Sequence, residues 1–396
     1  MSLVAFSIEE RNRRWERVRK LMAERGVQVL VAFPQWMPGD ALYLANRPGA
    51  VIFPLEDDPI LVSARLETQA PPGAWIQQLR PATSTGTTAV PYGEAVAGVL
   101  KELGDGVSCV AVTGLTGGRY TLVRQPEGYA NYTSVMRVRE TLPQTSVVDG
   151  TPILSEARYV KGEEEIEAIR RSVEIAEASA RALAWHARPG VSEAEVYARM
   201  MYEQLRLGAE SAHVAWVGGL WGEPKPRVVG PPPGTMQTGW FVNNEIEPMV
   251  QGYTCQIDQP VCGGPAPSLA KDLFELGKAA FERACELMRP GATWGEVEEG
   301  TRRVAKGTKY EIEFLLHGRG LGHDGPMLIP TDTHAHVRDE PIRAKTVFIL
   351  KPYAYPADTA NYDERHCREV TWGDSVVVRD RGAERLGTRA HELISV

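Results

Sequence analysis

Polar and apolar residues alternate most regularly along FVNNEIEPMVQGYTCQIDQPVC, residues 241–262. The alternation predicts two strands, 241–249 and 253–261, joined by a tight turn at Gln251 and Gly252. Val242, Ile246 and Val250 intersperse with Asn244, Glu245 and Glu247. Tyr253, Cys255 and Ile257 alternate with Thr254, Gln256 and Asp258. Such a hairpin gathers carboxylates and amides on a short length of chain. A carboxylate without a partner is costly to bury, so this cluster needs water, a cation or a ligand. The plainer reading is a solvated antiparallel face.

Upstream, the apolar period over 7–25 is helical, with Trp15, Val18, Leu21 and Met22 on one stripe and Gly26 as a stop before VQVLVAF, a buried strand. AVIFPLEDDPILV predicts a hairpin, 92–103 a helix, and VSCVAVTG a further buried strand. This alternation predicts an α/β domain over 1–150. TGLTGG at 113–118 lacks the lysine and the spacing of a phosphate loop. Residues 151–158 read as a linker into a charged helix, KGEEEIEAIRRSVEIAEASARALAWHA, whose acidic opening suits a helix N-terminus. RPGVSEAEV at 188–196 and RPGATWGEV at 289–297 are similar. In each, a helix ends at Arg-Pro-Gly and Ser192 or Thr293 caps the next, with Glu195 or Glu296 completing a capping box. The repeat predicts an α+β domain over 151–396, built from duplicated halves of helices on an antiparallel sheet.

At 396 residues the chain is long enough for two cores, and 43% apolar with 24% charged residues is an ordinary globular mix. A net charge of −7 without a basic run argues against nucleic acid, and no apolar stretch suits a membrane span. The first twenty residues lack the apolar core of a signal peptide, and the five scattered cysteines form no CxxC pair. The expected compartment is the cytoplasm.

Several segments in order carry a resemblance. They are MAERGVQVLVAF followed by DALYLAN, then ARYVKGEEEIEAIRRSVEIAEAS, the two Arg-Pro-Gly turns, the hairpin ending GYTCQID, HGRGLGHDGP, and GDSVVVRDRGAERL. Together they resemble the creatinase, aminopeptidase P and prolidase family, peptidase M24. The resemblance implies a creatinase-like N-terminal α/β domain before a pita-bread catalytic domain, a homodimer, and cleavage of C–N bonds. Peptidases of the family hold two metal ions with two Asp on the hairpin, a later His and two Glu on late strands. Here those positions carry Glu245, Gln256, His317, Lys351 and, at or near the last, Gly373. Only His317 is kept outright.

A two-metal site needs several anionic oxygens, and an ammonium has no lone pair to give. The expectation is therefore a site that uses no metal, with Lys351 supplying the positive charge. Creatinase-like members of the family provide the precedent. They use a His from the loop before the hairpin, where this chain has GGLWGEPKPRVVG and offers Glu223, Lys225 and Arg227 instead. Creatinase's hairpin Glu matches Asp258 and its late Glu matches Lys351. The expected catalytic residues are His317 for proton transfer, Lys351, Glu245 and His323, the last with Asp324 as its orienting carboxylate. Expected substrate contacts are Glu247, Gln256, Asp258, Arg319, Asp324, Lys225, Arg227 and Trp221. Their positive members favour a small carboxylate-bearing substrate over a guanidinium. Two alternatives stay open. One is an Xaa-Pro-type peptidase with a single divalent ion on Glu245, His317 and Asp258. The other is a binding protein without activity, in which Lys351 merely pairs with Glu245. Trp216, Trp221 and Trp240 read as packing or as an aromatic wall.

Overall fold

The computed structural model describes residues 6–35, 38–64, 69–82, 91–104, 106–117, 127–322, 324–325, 327–328 and 337–396. The chain divides into two compact units, one of residues 3–164 with 321–325, the other of residues 165–320 with 326–396. The division falls fourteen residues later than the expected 150/151 boundary. The supposed linker is a helix, Thr151–Tyr159, whose Ile153, Leu154 and Ala157 are buried.

The first unit is an α/β layer. Its six-stranded sheet runs in the order Gln78–Pro81, Ile60–Ser63, Ala50–Pro54, Val29–Ala32, Cys109–Val112 and Ser146–Asp149. The expected hairpin is present, Ile52 opposite Ile60, and Val29–Ala32 pairs parallel with Cys109–Val112. Helix Ile8–Glu24 is capped by Ser7, whose side chain accepts from the Glu10 amide, and Gly26 at φ 64° ends it. Trp15, Val18 and Met22 are its buried stripe.

Arg158 anchors this unit electrostatically. Its guanidinium lies 2.7 Å from Asp40 and 2.5 Å from Asp324, and the Lys161 ammonium is 3.1 Å from the other oxygen of Asp324. All four side chains are buried, so each charge depends on the others.

In the second unit the two halves answer each other. After helix Glu163–His186, Gly190 donates to Met236 and Glu193 to Gly234, and Ser192 bridges Thr235. After helix Ser268–Leu287, Gly291 donates to Ile342 and Gly295 to Arg338, and Thr293 bridges Pro341. Gly190 and Gly291 sit at φ 91° and 88°, where a side chain would be strained. The capping box is complete at Thr293 and Glu296. At Ser192 no side-chain cap forms.

Each half contributes a five-stranded sheet. One orders Ile394–Ser395, Val261–Cys262, Trp240–Ile246, Val214–Leu220 and Arg227–Val229. The other orders Met327–Leu328, Leu316–Gly318, Val347–Leu350, Asp374–Arg379 and Gly382–Arg385. The predicted hairpin strands are shorter than expected. Trp240–Ile246 stops before Pro248, which has no amide to donate, and only Met249–Val250 and Tyr253–Thr254 flank the turn. Gln251 at φ 52° and Gly252 at φ 79° give that turn its twist. The two sheets meet where Asp258 and Gly373 exchange backbone hydrogen bonds of 3.0 and 3.1 Å. Among the described residues no helix is long and apolar enough to cross a membrane.

Replacing Arg158 by Met leaves Asp40 and Asp324 buried without their shared cation. We expect a loss of about 3–5 kcal/mol, read as a lower urea midpoint by circular dichroism; an unchanged midpoint would contradict the network's role.

Candidate active site

A cavity of about 590 Å³ opens in the second unit where the two sheets meet. Strand Trp240–Ile246 brings Glu245 to its wall, and the chain leaving strand Val347–Leu350 brings Lys351. The Lys351 ammonium is 2.6 Å from Glu245 and 3.5 Å from Asp258. Arg227 reaches the same Glu245 across strand Val214–Leu220, with Nη1 at 3.2 Å. Gln256 donates to Asp258 at 2.9 Å.

Burial opposes charge on every member of this group, and their mutual attraction decides the outcome. On Glu245, Lys351 and Arg227 override burial and hold the carboxyl well below its usual range. On Lys351, Asp258 and Glu245 override it and raise the ammonium above its usual value. Asp258 has a weaker share of the cation and the Glu245 charge beside it. Burial pushes it up to about 6.

The far wall was not foreseen in the sequence. Short helix Tyr362–Cys367, capped by Asn361, presents Tyr362, Asp363 and His366 to the cavity. His366 Nδ1 is hydrogen-bonded to Glu369, which also accepts from the Thr371 hydroxyl. Asn243 fixes this segment, donating to the Glu369 carbonyl at 2.8 Å and accepting from the Thr371 amide at 3.3 Å. The available signal was a His three residues before a Glu in YDERHCREV, just ahead of the strand that closes the site.

The expected residues separate into three groups. Glu245, Lys351, Asp258, Arg227 and Lys225 line the cavity, Lys225 donating to the Cys367 carbonyl at 2.6 Å. Glu247, Gln256 and Arg319 do not. They form a buried layer of their own, in which Arg319 Nη2 lies 2.7 Å from Glu247 and also donates to Gln256. Their expected contact with substrate is corrected to a supporting role. The third group lies elsewhere. Asp324 is bound to Arg158 and Lys161, not to a substrate pocket. Trp221 packs on Phe241, ring centroids 4.8 Å apart. The indoles of Trp216 and Trp240 both donate to Glu193, so they brace the sheet and form no aromatic wall. His323 lies outside the described residues.

His317 also requires correction. It is buried on strand Leu316–Gly318, is not part of the cavity wall, and its nearest polar contact is the Gly318 carbonyl at 3.4 Å. Burial, then Arg319 and Lys351, lower its pKa well below the usual histidine value. A ring held neutral in this way is a poor proton donor near neutrality.

With this geometry in hand, the relatives place the chain. The family model for metallopeptidase family M24 matches residues 167–380, more than half of the chain. The chain belongs to that family. It is 24% identical over 273 residues to the Xaa-Pro dipeptidase of Pyrococcus furiosus, covering 68% of this chain and 74% of that protein. It is 24% identical over 331 residues to the creatinase of Bacillus sp. strain B-0618, covering 80% and 75%. Its fold is similar to that of the Xaa-Pro dipeptidase from Bacillus anthracis, with a TM-score of 0.76 at 20% identity over 98% of this chain and 100% of that one. The X-Pro aminopeptidase from Thermotoga maritima gives 0.75 at 19% identity, over 96% and 99%. The second unit of this M24 hydrolase therefore has the pita-bread fold.

The family name implies a metal centre, and the residues present do not fit one of two ions. The ligand positions hold an ammonium at 351, an amide at 256 already taken by a guanidinium, and no side chain at 373. The Lys351 ammonium at one of those positions, and the Arg319 guanidinium against the amide at another, repel divalent ions. Among the described residues no three His, Cys, Asp or Glu side chains converge to hold a metal.

Lys351→Met removes the cation shared by two buried carboxylates. Glu245 keeps Arg227, and Asp258 keeps Gln256 and the weaker attraction of Arg389. The expected destabilisation is about 3–5 kcal/mol, greatest above pH 6. Below that Asp258, which titrates at about 6, takes up a proton and no longer needs the ammonium. Urea midpoints of both proteins between pH 4.5 and 8 check this; a deficit that is flat or grows toward acid would refute it.

Proposed function

We propose that this M24 hydrolase opens a C–N bond in a small, carboxylate-bearing substrate without a two-metal centre, by hydrolysis or by elimination. The single observation behind this reading is the buried Lys351 ammonium on Glu245, in a position where the family's peptidases keep a metal ligand. In a site shielded from water, a fixed ammonium can stabilise negative charge that develops on a carbonyl oxygen, as a metal would. Arg227 and Lys225 add positive charge to the same cavity and suit a substrate carboxylate. Burial lowers the pKa of Lys225, so its ammonium gains most from an anion brought beside it. The homodimer implied by the resemblance belongs to the same reading.

The names of the relatives favour a second reading, an Xaa-Pro dipeptidase with an unusual metal site. Elemental analysis and a chelator separate the two. With Ala-Pro, N-acetylproline and N-carbamoylglycine as probes, the expected result is cleavage of at least one that persists in EDTA. Less than one divalent ion should be bound per chain. Lys351→Met should slow that turnover about 100-fold or more. Two ions per chain with turnover lost in EDTA would replace this reading with the peptidase.

A further inference from the structure

On the Lys351 wall the group able to exchange a proton, Asp258, is already engaged by Gln256 and Lys351. His317, the expected candidate, is buried apart from the cavity. The opposite wall has what is missing. His366 lines the cavity, half-buried, and its Nδ1 is engaged by Glu369. Glu369 is in turn fixed by Thr371, and Asn243 clamps the segment that carries them. The edge of Tyr362 meets the ring at a centroid distance of 4.1 Å and sets its tilt. With Nδ1 committed, Nε2 is the nitrogen available to the cavity. A ring oriented by a carboxylate through one nitrogen and open at the other is the arrangement that general acid–base chemistry needs.

We propose that His366 is the proton-transfer residue of this cavity and that Glu369 is its positioning residue. The inference rests on the C–N hydrolysis reading above and names the group that moves its proton. Nε2 of the neutral ring takes a proton from water as the water oxygen bonds to the substrate carbon. The C–N bond then breaks with its electron pair on nitrogen, and the imidazolium returns that proton to the nitrogen. One O–H and one C–N bond are lost, one C–O and one N–H bond are formed, and His366 ends as it began. Lys351 faces the oxygen on which charge accumulates meanwhile.

The groups around the ring agree with this assignment. Tyr362 and Asp363 come from its own helix, Glu369 from the segment after it, Lys225 from a loop that reaches the end of that helix at the Cys367 carbonyl, and Arg227 from the strand that follows. The hydrogen bond to Glu369 raises the His366 pKa, against burial and Arg227. Burial would raise Glu369 itself, but the bond to His366 and the Thr371 hydroxyl hold it below its usual value.

The test uses the full chain and whichever of Ala-Pro, N-acetylproline and N-carbamoylglycine it cleaves. His366→Ala should lower kcat about 100-fold or more with little change in KM, and free imidazole should restore part of the rate. His366→Gln, which keeps a polar side chain, should show the same loss if the alanine variant folds poorly. The wild-type rate should rise with pH through a midpoint above that of an ordinary histidine. Glu369→Gln should move that midpoint to lower pH, because the group that raises it is gone, and Glu369→Asp should restore it. An alanine variant within about threefold of wild type, or a midpoint unmoved in Glu369→Gln, overturns this inference while Lys351 dependence keeps the C–N reading. If none of the probes is cleaved, that reading falls and this inference with it.

Discussion

Everything at this site depends on where one buried ammonium finds its countercharge. Lys351 is almost wholly enclosed, and so are Asp258 and most of Glu245. None of the three could be ionised there alone, since the desolvation penalty for an isolated ion is several kcal/mol. Together they hold one another charged, and Arg227 supplies the second cation that the second carboxylate requires. The geometry that permits this is set by the backbone. Asp258 and Gly373 bridge one sheet to the other, and that bridge brings strand Trp240–Ile246 and the end of strand Val347–Leu350 to a common cavity.

The fold places such a cavity by symmetry. Each half closes an Arg-Pro-Gly turn onto a later extended segment through a glycine amide, Gly190 or Gly291, and a bridge from the next cap residue, Ser192 or Thr293. The chemistry is not symmetric. One half supplies Glu245 and Asp258, the other Lys351, His366 and Glu369. Behind the cavity, Arg319 with Glu247 and Gln256 forms an internally compensated layer. Its charges cancel locally, although Arg319 Nε and Nη1 are buried with no hydrogen-bond partner among the described residues.

Local signals in the sequence were legible where local physics decides the structure. Gly26 stops its helix, Thr293 and Glu296 form their box, and Gln251-Gly252 turns the hairpin. The Lys351–Glu245 contact was legible too, because two ligand positions of a shared fold must lie together. What failed to read through depends on distant partners. Residues 151–159 carry Pro152 and several polar residues and look like a linker. They become a helix because Ile153, Leu154 and Ala157 find a core. Asp324 sits beside a histidine in the chain but answers to Arg158, more than 160 positions away. The His366–Glu369 pair hides in a run of charges that reads as a solvated helix face, and only Asn243 and the cavity distinguish it.

The departures from the family's ligand pattern at 351 and 373 meet at one point of the backbone. A Cβ placed on Gly373 would come within 2.7 Å of the Lys351 Cβ, closer than real side chains approach. Every residue but glycine carries a Cβ, so it is the backbone here, and not the lysine as such, that leaves no room for a side chain at 373. What Lys351 adds is charge, since its ammonium lies 3.5 Å from Asp258, which is paired across the bridge from Gly373. Removing the lysine would leave Asp258 buried without that cation. Steric fit at 373 and charge balance at 351 thus act on the two ends of the same bridge.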